Sequence, residues 1–159
     1  MKKGLIILAC SLSIWSFAQK NAFKLFENKS YSIQVPDTWI SKNDNEIINI
    51  YPSSEVGAIT ISEYNDLNLP KEEIKKFILA LHHSNDDESK VKTKTAKKGF
   101  TEYNYEYVDE EKKEVWYTRL FQKDQKLILL TITCNQKYWN GNYMKLFNES
   151  FNSFKINEK

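Results

Sequence analysis

Ten consecutive residues, Lys126–Asn135 (KLILLTITCN), limit what this chain can become. No apolar run outside the N-terminus is longer, and it is rich in β-branched residues, which favour the pleated sheet. Side chains alternate across a strand, so Ile128, Leu130, Ile132 and Cys134 share one side, and Leu127, Leu129, Thr131 and Thr133 the other. Apolar residues at both parities mean that both faces are covered along at least the first half of the strand. The run is therefore the central strand of a sheet with packing layers above and below.

The first eighteen residues belong to targeting and not to the fold. Lys2 and Lys3 make a positive start, Leu5 to Phe17 is mostly apolar, and Ser16-Phe17-Ala18 has the small-x-small pattern of a signal-peptidase site. Cleavage after Ala18 would leave Gln19 as the new N-terminus and send the protein to the periplasm or the medium. An alternative is a lipoprotein anchored at Cys10, since Ile7-Leu8-Ala9-Cys10 loosely resembles a lipobox. The apolar stretch is too short for a stable membrane span, which needs roughly 20 residues, and nothing later in the chain is long enough.

Removing eighteen residues from the 159 leaves 141, one domain that can bury an adequate core without disulfides or metals. The full chain has 23 basic and 21 acidic residues; the signal takes two lysines, so the remainder is neutral. Neutrality removes any bulk pull toward nucleic acid or anionic lipid. Arg119 is the single arginine, which argues against bidentate recognition of phosphate or carboxylate. Past the signal only Cys134 remains, so no internal disulfide forms. Its register with Ile128, Leu130 and Ile132 reads as a packed core thiol.

Taken in order, Asn21 to Ser30 is an edge strand or lead-in, and Tyr31–Val35 is a strand that Pro36 ends. Trp39 returns to the core, and a polar loop spans Ser41–Glu46. Ile47–Tyr51 and Ala58–Tyr64 are the next strands. Asn68-Leu69-Pro70 opens a helix with Glu72 and Glu73 in its first turn. Ile74, Phe77, Ile78 and Leu81 have the spacing of its buried stripe. Lys90–Lys98 reads as a polar edge strand guarded by lysines. Phe100–Val108 and Val115–Phe121 form a hairpin around Asp109–Lys113, leading into the central strand. A loop over Gln136–Asn142 precedes a last helix from Tyr143 to Phe154. The order is three strands, a helix, four strands, a helix: an α+β domain without repeats or linkers.

This order resembles the PsbP-like family, the fold of photosystem II extrinsic proteins, of Ran-binding Mog-type proteins and of bacterial DcrB-like exported proteins. The carrying residues are YSIQVPDTWI (Tyr31–Ile40), the helix at 70–83, the hairpin into KLILLTITC, and a closing helix ending in SFKI (Ser153–Ile156). The resemblance implies an antiparallel sheet of about six strands with helices packed on both faces. It implies no single activity, because members bind unrelated partners. It transfers no metal-binding or partner-binding residue.

Candidate sites are few. Tyr103, Tyr105 and Tyr107 line one face of a strand, either as an aromatic platform for a glycan, peptide or partner protein, or as a core face beneath a helix. Tyr138 and Trp139, beside Gly141, form an aromatic loop that either caps the core or binds. His82 and His83, ahead of Asp86, Asp87 and Glu88, do not make a metal site, because adjacent helical side chains diverge by about 100°. No nucleophile elbow, zinc motif or phosphate-cradling glycine loop is present. The expectation is an exported accessory protein of the periplasm or cell envelope, monomeric, without cofactor, that binds an envelope or exported protein and performs no chemistry. The rivals are a small-ligand carrier and a hydrolase or thiol enzyme built on Cys134.

Overall fold

A computed structural model describes residues 22–67 and 69–157. The signal segment, Cys10 and Asn68, on which expectations were placed, lie outside the described residues. Among the described residues, ten strands and two α-helices follow in the order β1 (Phe23–Glu27), β2 (Tyr31–Pro36), β3 (Ile40–Asp44), β4 (Ile47–Tyr51), β5 (Gly57–Tyr64), α1 (Ile74–Leu81), β6 (Lys92–Thr95), β7 (Thr101–Asp109), β8 (Glu114–Lys123), β9 (Lys126–Asn135), α2 (Gly141–Ser153) and β10 (Lys155–Ile156). The main sheet has seven antiparallel strands in the order β3-β4-β5-β9-β8-β7-β6. KLILLTITCN is β9, fourth of the seven, as its double apolar parity requires. A small sheet, β1-β2-β10, lies apart.

The two parities of β9 feed two cores. On the back face, Ile128, Leu130, Ile132 and Cys134 join Ile59 and Ile61 of β5, Ile33 and Val35 of β2, and Phe147 and Phe151 of α2. Trp39 is buried here with its ring 4.7 Å from that of Phe147. On the front face, Leu127 and Leu129 meet Leu120, Tyr103 and Tyr105, and α1 lies over them through Ile74, Ile78 and Leu79. Helices therefore cover both faces, and the small sheet completes the back layer. At one end Ser30, Glu63 and Lys126 tie that layer to the main sheet, with Lys126 Nζ 2.9 Å from Glu63 Oε1 and from Ser30 Oγ.

Several details depart from the sequence reading, among them SFKI, whose Lys155–Ile156 is strand β10 paired with β2 and not the end of the helix. Ser41–Glu46, expected as a loop, is mostly β3: an edge strand with every residue exposed, which pairs by its backbone and shows no apolar alternation. Asn45, at φ 54°, makes its turn into β4. This strand is why the main sheet has seven strands and not six. Ile74, Phe77 and Ile78 of the expected stripe do face the front core, joined by Leu79, whereas Leu81 is 42% exposed, because the short helix presses on the sheet with a face rotated away from Leu81. Gly57, left outside the strand Ala58–Tyr64 in the sequence reading, is part of β5: a Cβ there would collide with the Thr133 carbonyl and lie 3.0 Å from the Phe147 ring.

Candidate functional site

Helix α1 is eight residues long, so it spans only about 12 Å of a seven-stranded sheet. The register shows what it leaves open. Across the front face, Tyr107, Trp116, Thr133 and Ala58 stand in one row. Tyr105, Thr118, Thr131, Thr60, Asn49 and Lys42 stand in the next. Tyr103, Leu120, Leu129, Ser62 and Ile47 form the third. The front core, and with it α1, takes the β7, β8 and β9 side of the third row and Tyr105 of the second. Beyond it Trp116, Thr131, Thr133, Ala58, Thr60, Asn49 and Tyr51 are half-buried, and Lys42, Ile40 and Ile47 are exposed.

This uncovered region is chemically uniform. Hydroxyls, an amide and two large aromatic rings dominate it, with a single ammonium, Lys42, held 5.7 Å from the Tyr51 ring centroid. Thr60 Oγ1 donates to Asn49 Oδ1 at 2.8 Å, which fixes the amide. A shallow depression of about 390 Å³ sits among Lys42, Asn49, Tyr51, Glu55, Gly57, Ala58 and Thr133, so one carboxylate joins the ammonium there. Aromatic and hydroxyl side chains on a rigid sheet suit contact with another molecule, because they bring large area with little rotamer entropy to lose.

Where α1 ends, His82 turns back onto the sheet and borders this region. It is 8% exposed, its Nε2 lies 2.7 Å from Thr118 Oγ1, and its ring packs at 5.4–5.6 Å from Tyr105, Tyr107 and Trp116. Burial, with a smaller push from His83, drives its pKa down to about 4, so it is a neutral packing group at pH 7. Tyr105 closes the box, its hydroxyl 2.7 Å from Ser84 Oγ and donating to Asp86 Oδ2 at 2.9 Å.

The two groups of aromatic residues singled out in the sequence are not brought together. Tyr103 and Tyr105 are each 4% exposed beneath α1, and Tyr107 is half-buried at the rim of the open region. Trp139 packs on the back face, stacked on Tyr117 at 5.0 Å, and Tyr138 is exposed beside it. Trp116, Tyr51 and the threonines were not singled out. Strand alternation puts Trp116 and Thr118 on the face of Leu120, but only the strand order shows that β4 and β5 extend that face.

No reactive constellation accompanies these residues. Cys134 is fully buried on the back face, and burial pushes its thiol up to about 11. His82 points to the front, so the sheet separates it from Cys134. Burial raises Tyr105 to about 12, and burial with the Glu106 carboxylate does the same for Tyr117. Among the described residues no cluster of His, Cys, Asp and Glu could hold a metal ion, and no helix is long and apolar enough to cross a membrane.

Comparison with solved structures decides the fold. The solution structure of cyanobacterial PsbP (CyanoP) from Synechocystis sp. PCC 6803 matches with a TM-score of 0.59 over 91% of this chain and 98% of its own. The fold is PsbP-like. A crystal structure from Bacteroides thetaiotaomicron VPI-5482 matches at a TM-score of 0.51, over 81% of this chain and 46% of its own. Both are 12% identical to this chain, so the PsbP-like architecture is shared and no site is inherited. No protein-family model matches the sequence, and no curated protein does. Within the PsbP-like frame, the uncovered front region is a property of this chain's own residues.

Proposed function

We propose that this is an exported, non-enzymatic accessory protein that binds a partner protein of the periplasm or cell envelope through the open part of its front face. The observation that carries the reading is the juxtaposition of Tyr107, Trp116, Thr131, Thr133, Thr60, Asn49 and Tyr51 on one rigid, half-exposed surface. The apolar N-terminal stretch ending in Ser16-Phe17-Ala18 supports export. The buried Cys134, its thiol raised by desolvation, weighs against a thiol enzyme.

The test is affinity capture from the native cells with two baits, the unaltered protein and a Tyr51→Ser/Trp116→Ser variant whose folding is checked by circular dichroism. The expected result is a specific envelope or exported protein retained by the first bait and lost from the second. Retention of the same proteins by both baits, or of a small molecule and no protein, overturns it. Mass spectrometry of the cell-derived chain tests export independently: Gln19 should be its N-terminus, whereas a lipidated Cys10 would establish the anchored form.

A further inference from the structure

Strand β6 is shorter than the strand it borders. It pairs with β7 only from Lys92 opposite Asn104 to Thr95 opposite Thr101, while β7 continues to Asp109. From Tyr105 onward β7 therefore has β8 on one side and, among the described residues, no strand on the other. The chain preceding β6 does not fill the gap. Glu88–Lys90 is a 3-10 turn, and Val91 is buried with Ile74 and Ile78 in the front core, which draws this segment out of the plane of the sheet. An unpaired edge presents main-chain donors and acceptors to a further strand.

A groove of about 490 Å³ adjoins this edge, lined by Lys90, Lys92, Glu106, Val108, Tyr117 and Phe151 among others. Its floor is held in place. Tyr117 donates its hydroxyl hydrogen to Glu106 Oε1 at 2.6 Å, and the Arg119 guanidinium lies over the Phe151 ring at 4.2 Å while donating to the Phe151 carbonyl at 3.0 Å. Val108 is 38% exposed, an apolar side chain without cover. Of the charges lining the groove, Lys90 and Lys92 are basic, and the Glu106 carboxylate is engaged by the Tyr117 hydroxyl. Lys94 is paired with Glu102, and Lys112 and Lys113 with Asp109 and Glu110 of their own hairpin. Lys90 and Lys92 make no ion pair among the described residues.

We infer that the outer edge of β7, Tyr105–Asp109, takes an extended acidic segment of a partner protein as an added strand that continues the line of β6. The inference rests on the partner-binding reading and names the form in which the partner arrives. Main-chain hydrogen bonds to β7 supply the pairing, as in other cases of strand addition. Side chains of one parity enter the groove, where Val108, Tyr117 and Phe151 favour an apolar residue and Lys90 and Lys92 favour acids. Those of the other parity pass Tyr107 at the rim of the front face.

The test is selection of a displayed library of random linear heptapeptides on the purified protein, followed by amide hydrogen exchange with the enriched peptides made synthetically. Enriched sequences should alternate acidic with apolar residues and slow exchange of backbone amides within Tyr105–Asp109. Val108→Glu, which puts a charge of the peptide's own sign into the groove, should weaken them about tenfold or more, and Lys90→Glu/Lys92→Glu about fivefold, while added salt should weaken binding to the unaltered protein. The two lysines are exposed, so the second variant keeps the fold should the first lose it. Failure to enrich any peptide, enrichment without acids, or affinity unchanged in both variants overturns the inference. So does protection of β7 without peptide that rises with protein concentration, which would mark self-pairing. Protection confined to residues near Tyr51 and Trp116 would remove strand addition and leave the front-face reading standing.

Discussion

Phe147 packs where it does because position 57 has no side chain. A Cβ on Gly57 would collide with the Thr133 carbonyl and lie 2.9 Å from the Cys134 Cα, both backbone atoms that cannot swing aside. Gly57→Ala is therefore expected to destabilise by about 1–3 kcal/mol, as overpacking does, seen as a lower urea midpoint with an unchanged slope. Cys134 yields a second prediction. With its pKa near 11, about one thiol in a thousand is ionised at pH 8 even before access is counted. Iodoacetamide should leave the folded protein unlabelled and label it fully in denaturant; rapid labelling of the folded form would revive the thiol-enzyme alternative. Cys134 was legible as a core residue from parity alone. Gly57 was not, because the demand on it comes from Phe147, ninety residues away.

Elements were legible where burial imposes a period, and missed where it does not. β9, the β7–β8 hairpin and α2 each bury one or both faces, and their sequences carry that imprint. β3 buries nothing, so SKND gave no reason to expect a strand; only the pairing with β4 makes it one. In α1 the period held for Ile74, Phe77 and Ile78, and only its last position, Leu81, turned out to face away from the sheet. A helix of eight residues fits several stripes, and contact with the sheet selects among them. Ile78→Ala should consequently cost about 2–4 kcal/mol, in the range for buried isoleucine, and Leu81→Ala less than about 1 kcal/mol. Thermal or denaturant melts of the two variants compare them directly; equal losses would restore the stripe through Leu81.

At the scale of the whole molecule, two long-range contacts set how it meets acid. Strand order joined residues that the sequence keeps far apart: Thr118 of β8 with His82 at the end of α1, and Glu63 of β5 with Ser30 before β2. His82 is held down to about 4 in the folded state against 6.5 when free, chiefly by burial among Tyr105, Tyr107 and Trp116. Between those values the unfolded chain binds a proton that the folded one refuses, so stability is complete above about pH 6.5 and falls as pH drops toward 4. Allowing for partial solvent access, the loss is roughly 2–3 kcal/mol. Glu63 adds a lower step. Burial pushes its carboxyl up, but hydrogen bonds from Ser30 and Lys126 and the Lys126 charge outweigh that and leave it below its usual value. A carboxylate depressed in this way stabilises the fold above its unfolded pKa, and the contribution disappears as pH falls through the folded one. Urea unfolding at pH 7.5, 5.5 and 4 should show the first loss in the native protein, and His82→Gln should flatten it. Glu63→Gln should leave the His82 slope intact and reduce the further fall below pH 4.5. A native protein whose stability did not change from pH 7.5 to 4 would mean that His82 takes up its proton within the fold, with the aromatic box open to water.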